Sequence, residues 1–244
     1  MRRLILAITF LTRFPLPVPK DVTAEEIGRS TPFFPLVGLL LGLILVGIDR
    51  LSSYLWPPLI VDAVIFASLV VMTGGLHIDG LMDTCDGIFS GRERDRMLEI
   101  MRDSRVGAFG VIGAICVSIL KIASLNAIHG PQRWSALILF PMLGRWSMVW
   151  SVSLFPYARA TSGLGRPFTE AARKHYVIWA GFPVLVVAIP MFLWRSVWII
   201  AVTGIVAWLI GKWLYRRIGG LTGDNYGAIC EITETLSLMM ICVG

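Results

Sequence analysis

Apolar residues along this chain are concentrated in seven blocks that are separated by shorter polar segments. The blocks cover residues 33–48, 57–76, 106–128, 134–155, 177–193, 197–215 and 229–243. A helix needs about 20 mostly apolar residues to cross a bilayer, so the first, fifth and last blocks are short. Lipid offers the backbone no hydrogen-bond partners, so each block must satisfy its own polar groups as an α-helix. The pattern predicts an all-α, polytopic integral membrane helix bundle of about seven transmembrane helices, although six or eight would also fit.

Composition supports lipid as the solvent for this bundle. Hydrophobic residues make up 56% of the 244 residues and charged residues only 16%, whereas soluble domains carry about a quarter charged residues. The mean hydropathy is +0.74, and no polar segment is long enough to form a soluble domain of its own. We therefore expect residues 1–244 to form a single integral membrane domain. The spacing Gly38-x3-Gly42 is typical of close helix packing.

Two shorter segments predict helices that do not cross the membrane. The run 4–11 follows Arg2 and Arg3, but it is brief and lacks a small-residue cleavage site. It predicts an interfacial or re-entrant helix rather than a cleaved signal peptide. The stretch 94–102 puts its methionines and Ile100 on one side, which predicts a short amphipathic cytoplasmic helix on the membrane surface.

Basic residues alternate between the two sides of the predicted bundle. With the N-terminus on one side, 17 Lys and Arg residues fall on that side and three, Arg50, Arg133 and Arg195, fall on the other. Lys and Arg concentrate in cytoplasmic loops, so the N-terminus and the loops on its side are predicted to be cytoplasmic. This bias accounts for the net charge of +6 without nucleic acid as a partner.

Three aspartates follow the second apolar block within eight residues. Asp79, Asp83 and Asp86 are spaced by four and three residues, which places their carboxylates on one helical face. Like charges at that spacing repel and require a cation, which either arginine or a metal ion would supply. Carboxylate oxygens suit Mg²⁺ or Ca²⁺, and the coordination shell of Mg²⁺ is commonly completed by substrate phosphates. We expect the three aspartates to bind Mg²⁺; the alternative is a solvated acidic patch paired with nearby arginines.

The segment after these aspartates supplies groups that suit a phosphorylated substrate. Arg102 and Arg105 flank Asp103, and arginine binds phosphate through two parallel hydrogen bonds. Carboxylates, a metal and arginines together indicate group transfer at a diphosphate, where catalysis consists largely of positioning and charge neutralisation. Asp103 and Asp83 are therefore candidate catalytic residues.

Two further ionisable residues lie in or next to apolar blocks. His77 precedes Asp79 by two residues and is a candidate general base or ligand, or else an ordinary interfacial histidine. Arg145 interrupts an apolar block and is a functional candidate for that reason, with an acidic group or the substrate as its partner. Lys121 also lies in a block, where its long side chain is able to reach the interface.

A second polar site is predicted near the start of the last block, on the same side as the aspartates. Thr222, Asp224 and Asn225 lie in a glycine-rich turn, whose backbone amides are able to cradle phosphate. Glu231 follows Asp224 by two helical turns and adds a second acidic group. The alternative is a helix-packing glycine run with ordinary polar loop residues.

Several segments together resemble a known family, in order and over nearly the whole chain. They read FLTRFPLP from Phe10, FFPLVGLLLG from Phe33, TGGLHIDGLMDTCDG from Thr73, RDRMLEIMRDSRVGAFG from Arg94 and GGLTGDNYGA from Gly219. These segments are similar to the cobalamin synthase family, also called adenosylcobinamide-GDP ribazoletransferase. The region 157–176 resembles the family only loosely.

The resemblance implies the last assembly step of vitamin B12 synthesis at the bacterial inner membrane, with the active site facing the cytoplasm. Adenosylcobinamide-GDP and α-ribazole, or its 5′-phosphate, would be the substrates, and GMP would leave with the help of Mg²⁺. A ribose hydroxyl would attack the phosphorus on the cobinamide side, with His77 or Asp103 accepting its proton. A homo-oligomer and association with other late cobalamin-synthesis enzymes are left open.

Other classes of protein also fit parts of the pattern. A membrane prenyltransferase uses aspartate-rich motifs and Mg²⁺ but attacks at carbon, and a CDP-alcohol phosphotransferase uses a different order of Gly, Arg and Asp. A cation-coupled transporter would place its ion site near the bilayer midplane, whereas these aspartates come at the end of an apolar block.

Overall fold

The computed structural model describes residues 1–17, 21–159, 163 and 165–243. Its helices, in chain order, are α1 Arg2–Leu11, α2 Ala24–Gly28, a 3₁₀ turn Thr31–Phe33, α3 Phe34–Ser52, α4 Pro58–Thr73, α5 Leu76–Phe89, α6 Arg94–Ile100, α7 Ala108–Ala127, α8 Pro131–Leu154, α9 Arg166–Ala171, α10 Tyr176–Phe192, α11 Arg195–Ile218 and α12 Gly223–Cys242. Each of the seven apolar blocks corresponds to a helix, which confirms the prediction of a helical membrane bundle.

The number of membrane crossings is smaller when each helix is judged by length and composition. Four segments are long and apolar enough, and they contain α3, α7, α8 and α11; a fifth is obtained if α4 and α5 count as one bent span. Helix α10 is apolar but shorter, and α12 carries Glu231 and Glu234 inside the bundle. The exact count of seven stays a prediction, while a multi-pass membrane protein is supported.

Helix α12 forms the centre of the bundle and packs against α5, α7, α8 and α11. Helix α3 packs mainly on α8. Two glycines of α3 allow the backbones of the two helices to approach closely. A Cβ atom added at Gly38 or Gly42 would overlap with the backbone of α8 at Pro141 and Ile138. The predicted close packing at these two glycines is therefore confirmed.

A sharp bend separates α5 from α4. Gly74 and Gly75 have φ angles of 64° and 72°, a left-handed conformation that glycine adopts without the steric cost of a Cβ atom. The two helix axes differ by 89° across this pair. The aspartates that follow the second apolar block therefore lie on a helix that turns away from it.

Two predictions about short helices are refined by the structure. The run 4–11 does form a helix, α1, whose Leu6, Ala7 and Leu11 are buried. The segment from Arg94 forms α6, but its apolar side does not face outward, since Met97 and Met101 are buried. Gly87 of α5 lies against the Met101 side chain and the Met97 carbonyl oxygen. The prediction that this side lies on the membrane surface is wrong for these two methionines, because they are buried where the segment packs on α5 beside Gly87.

Contacts at the two ends of the bundle agree with the predicted alternation of loops. On one side Arg94 donates to the carbonyl oxygens of Ala158 and Ile218, which follow the fourth and sixth blocks. On the other side Arg133 forms ion pairs with Asp49 and Asp62. Loops predicted to share a side therefore contact one another.

Candidate active site

Helix α5 has two chemically different faces. Leu76–Phe89 buries His77, Gly80, Leu81, Thr84, Gly87 and Ile88, and it packs mainly on α12 and α7. Asp83 and Asp86 lie outside this buried set and are partly exposed, and Asp79 is exposed. The spacing of four and three residues therefore produces the predicted acidic face.

Asp224 of α12 joins this face through a close approach of two backbones. A Cβ atom added at Gly80 would lie 2.7 Å from the backbone oxygen of Asp224 and 3.0 Å from its Cα atom. Only glycine allows this contact, which brings the fourth carboxylate to α5. The charges that act most on Asp83 are those of Asp224, Asp79 and Asp86, with Arg159 as the opposing positive charge.

Thr222 and Asn225 hold the start of α12 in place. They form a capping box, in which the Thr222 hydroxyl accepts from the Asn225 amide and the Asn225 side chain accepts from the Thr222 amide at 2.8 Å. Asn225 also donates to the Thr84 hydroxyl of α5 at 3.0 Å. Both residues are fully buried, so of the three predicted substrate-binding residues in this turn only Asp224 reaches the acidic face.

Arg159 is the cation that the structure places beside Asp224. Its guanidinium lies 2.6 Å from the Asp224 carboxylate. The preceding residues pair with the segment before α12, since Ala158 donates to Leu221 and Leu221 donates to Pro156. Arg94 fixes both segments by donating to the carbonyl oxygens of Ala158 and Ile218.

Asp86 has a different set of partners from the other aspartates. Its two carboxylate oxygens accept from the backbone amides of Gly107 and Gly110, each at 2.8 Å. These amides belong to the first turn of α7, where helix N–H groups have no partner within the helix and a negative charge is favoured. Asp86 therefore anchors the N-terminus of α7 to α5.

A cavity of about 250 Å³ opens over the acidic face. It is lined by Asp79, Asp83, Asp86, Arg102, Asp103 and Arg105, with Met82, Met101, Ser104 and Val106 completing the wall. The predicted aspartates and the predicted phosphate-binding arginines thus share one cavity. Arg105 pairs with Asp103 at 2.6 Å, and hydrogen bonds from Arg105 lower the pKa of Asp103 to about 2.

His77 and Arg145 lie away from this cavity. His77 is 1% exposed, on the face of α5 that packs against Gly227 of α12, and neither of its ring nitrogens has a hydrogen-bond partner among the described residues. Arg145 is equally buried and forms an ion pair with Glu234. Of the two partners predicted for Arg145, the structure supplies the acidic group.

Lys121 and Glu231 belong to the same buried network. Lys121 lies 2.6 Å from Glu231 and 2.5 Å from Glu234. The expectation that Lys121 extends to the interface is wrong, because two carboxylates satisfy its charge inside the bundle. Glu231 likewise does not join Asp224 in a second acidic site, since it points to Lys121 instead.

The donor set of the cavity fits Mg²⁺, although the three predicted ligands do not form one cluster. Within the part of the chain that the structure describes, no group of three or more His, Cys, Asp or Glu side chains is arranged to hold a metal ion. Asp86 is engaged with α7, whereas Asp79 and Asp83 act electrostatically on Asp224. Because Mg²⁺ needs only one or two carboxylates when substrate phosphates complete its shell, the magnesium assignment stays a prediction.

Arg159 is the site residue that sequence reasoning missed. In the sequence it is one of 17 basic residues on its side, in a region that resembles the family only loosely. Its importance rests on a contact with Asp224 across 65 positions, and no local pattern marks such a contact.

Comparison with known proteins identifies the family. The family described as cobalamin-5-phosphate synthase matches residues 3–242. A protein named adenosylcobinamide-GDP ribazoletransferase from Desulforamulus reducens is 42% identical over 98% of this chain and 95% of its own length. Proteins of the same name from Desulfitobacterium hafniense and Geotalea daltonii are 40% and 38% identical, over 98% and 100% of this chain and 96% and 98% of their own lengths. No solved structure gives a significant match. The chain belongs to the cobalamin-5-phosphate synthase family.

Proposed function

We propose that this protein transfers the adenosylcobinamide phosphate group of adenosylcobinamide-GDP to α-ribazole or α-ribazole 5′-phosphate and releases GMP. The match to the family over residues 3–242 and the shared name of the reported relatives support this reaction. The structural observation that carries the proposal is the approach of Asp224 to Asp79 and Asp83 beside an arginine-lined cavity. The same comparisons do not favour a prenyltransferase, a CDP-alcohol phosphotransferase or a transporter.

The reaction requires a site that holds a diphosphate and neutralises its charge. A hydroxyl oxygen of the ribazole ribose forms a bond to the phosphorus on the cobinamide side, and the bond between that phosphorus and the GMP oxygen breaks. We infer that one or two of the carboxylates of Asp79, Asp83 and Asp224 would hold Mg²⁺ for this purpose, with phosphate oxygens of the substrate completing its coordination shell. Bound there, the ion would supply charge neutralisation at the diphosphate.

Three arginines of the chain are placed to bind the phosphate oxygens. Arg102 and Arg105 line the cavity, and Arg159 adjoins it by donating to the carbonyl oxygen of Met101, a residue of the cavity wall. Guanidinium groups bind phosphate through paired, charge-assisted hydrogen bonds. Together they would orient the phosphorus toward the incoming hydroxyl and stabilise the negative charge on GMP as it leaves.

Asp103 is better placed than His77 to accept the hydroxyl proton. Asp103 lines the cavity, whereas His77 is buried on the opposite face of α5. With a pKa lowered to about 2, Asp103 is ionised at neutral pH and is a weak base. Its contribution to the rate is therefore expected to be smaller than that of the aspartates that neutralise charge.

The active site is proposed to face the cytoplasm from the bacterial inner membrane. The 17 to 3 distribution of Lys and Arg supports this orientation. The aspartate cavity lies on the side of the bundle where Arg94, Ala158 and Ile218 meet, which is the side with the larger number of basic residues.

Release of GMP tests the proposal directly. The purified full-length protein in detergent, given adenosylcobinamide-GDP, α-ribazole 5′-phosphate and Mg²⁺, is expected to produce GMP and the joined corrinoid in equal amounts. Asp83→Asn should abolish the reaction, while Asp95→Asn, a matched change at an exposed aspartate on α6, should not. Absence of GMP under conditions in which a relative is active would overturn the proposed function.

A further inference from the structure

A second cavity adjoins the one that holds the aspartates. It measures about 800 Å³ and is lined by Arg92, Arg96, Arg105 and Ser90 on its polar side and by Ile100 and Phe109 on its apolar side. The two cavities share Asp86, Asp103, Arg105 and Val106. The two cavities therefore lie side by side against the same four residues. We call this second cavity, defined by Arg92, Arg96 and Arg105, the arginine cleft.

The charge of the arginine cleft favours an anion. Its two carboxylates already have partners, because Asp86 accepts from the amides of α7 and Asp103 pairs with Arg105. Among the described residues, Arg96 forms its one ion pair with Glu99, and both side chains of that pair are more than 60% exposed, so a bound phosphate would readily compete for Arg96. Arg92 has no ion pair among the residues that the structure describes.

We propose that the arginine cleft binds the 5′-phosphate of the phosphorylated acceptor, and that Arg92 and Arg96 are the residues that select it. This inference rests on the proposed function. The reacting hydroxyl and the 5′-phosphate belong to one ribose, so they are separated by a few bonds. If the hydroxyl reacts beside Asp79 and Asp83, the phosphate falls in the adjoining cleft. No bond to this phosphate forms or breaks, and its role is to orient the acceptor.

The test compares two acceptors that differ only in this phosphate. Equilibrium binding of α-ribazole 5′-phosphate and of α-ribazole is first measured on the detergent-solubilised protein, without adenosylcobinamide-GDP. GMP release is then measured with each acceptor. The double variant Arg92→Gln/Arg96→Gln should lower affinity and kcat/KM for the phosphorylated acceptor about tenfold or more, as expected for lost hydrogen bonds to a charged group. Values for α-ribazole should stay unchanged.

Two controls separate phosphate binding from a general effect of charge. Arg216→Gln/Arg217→Gln removes the same charge from exposed positions at the end of α11 and should leave the preference for the phosphorylated acceptor intact. Arg92→Lys/Arg96→Lys keeps the charge and should restore a large part of that preference.

Three outcomes would overturn the inference. The first is unchanged affinity and unchanged kcat/KM for the phosphorylated acceptor in the double glutamine variant. The second is an equal loss for both acceptors, which would assign the cleft to the donor or to the fold. The third is a loss seen only in vesicles that contain anionic lipid, which would assign the arginines to lipid headgroups. Failure of the proposed function looks different, since the wild-type protein would then release no GMP with either acceptor.

Discussion

Asp83 and Asp86 are separated by three residues on one helix, yet their surroundings give them different roles. Asp83 lies among three other carboxylates, a position that a cation stabilises. Both carboxylate oxygens of Asp86 accept hydrogen bonds from the first turn of α7. A carboxylate that caps a helix in this way stabilises the fold by about 1 kcal/mol. Two aspartates on the same face of α5 thus have different roles, one in a proposed metal site and one at the junction with α7.

This difference predicts two responses to amide substitution. Asp83→Asn should raise the Mg²⁺ concentration for half-maximal activity about tenfold or more, or abolish activity, since even outer-shell partners of a metal are worth about tenfold in affinity. Asp86→Asn keeps one acceptor oxygen and should instead lower thermal stability, with the Mg²⁺ requirement nearly unchanged. A Mg²⁺ titration of GMP release, together with thermal unfolding, distinguishes the two. A large shift of the Mg²⁺ requirement in Asp86→Asn would make Asp86 a ligand after all.

Asp103 gives a prediction about pH. Arg105 lowers its pKa to about 2, so the stabilisation from this pair is present above the ordinary carboxyl pKa and is lost only as the pH falls through about 2. Asp103 therefore does not titrate between about pH 5 and about pH 9, and Asp103→Asn should leave the acid limb of kcat/KM unshifted there. The measurement is the pH profile of the variant against wild type. Movement of that limb would show that Arg105 does not hold the carboxyl in its ionised form.

Among the contacts between helices, the site depends most on the one between α5 and α12. Gly80→Ala would place a Cβ atom 2.7 Å from a backbone oxygen of Asp224, and backbone cannot move aside as a side chain does. The two helices would have to separate, at a cost of about 1–3 kcal/mol, and Asp224 would leave Asp79 and Asp83. The rate of GMP release should therefore fall by more than the loss of folding stability alone would cause.

Gly47→Ala is the matched control for that substitution. Gly47 lies in α3 with nothing within 4 Å of an added Cβ atom, and alanine is favoured over glycine inside a helix by up to about 1 kcal/mol. This variant should be as stable as wild type or slightly more stable, with full activity. If Gly80→Ala behaves in the same way in unfolding and GMP-release assays, the close approach of α5 and α12 is not required.

Local pattern and long-range contact differ in how much of this molecule they reveal. Runs of apolar residues locate helices α3, α4, α7, α8, α10, α11 and α12, because a membrane helix is encoded within its own segment. The acidic face of α5 follows from spacing in the same way. Asp224 reaches that face across 144 positions from Gly80 and Arg159 reaches Asp224 across 65, and these contacts depend on how separate helices pack. Hence the aspartates of α5 could be predicted as a set, while the separate contacts of Asp86, Asp224 and Arg159 could not.

On the scale of the whole bundle, three of the groups that charged side chains form among the described residues lie at different depths. The aspartate cavity and the arginine cleft lie at one end. Lys121, Arg145, Glu231 and Glu234 form a buried network in which two positive charges meet two negative ones. At the other end Arg133 joins Asp49 and Asp62. The first group carries the proposed chemistry, and the other two connect helices that surround or form the core.

The Arg133 group predicts a large effect on stability with little effect on substrate binding. Arg133 lies 2.7 Å from Asp49 and 2.6 Å from Asp62, and it donates to the carbonyl oxygen of Leu125. These contacts connect α3, α4, α7 and α8 at one point. Arg133→Met would leave two buried carboxylates without a cation, which costs about 3–5 kcal/mol.

Thermal unfolding of the detergent-solubilised protein measures this cost. The midpoint should fall by about 10 °C in Arg133→Met, given that 1 kcal/mol shifts a chain of this size by about 2–4 °C. Combining that change with Asp49→Asn and Asp62→Asn should recover part of the loss, because no carboxylate is then left unpaired. KM for both substrates, measured below the midpoint, should stay at the wild-type value, since the network lies at the end of the bundle opposite the aspartates. A raised KM at full stability would instead show that this end of the bundle is coupled to the active site.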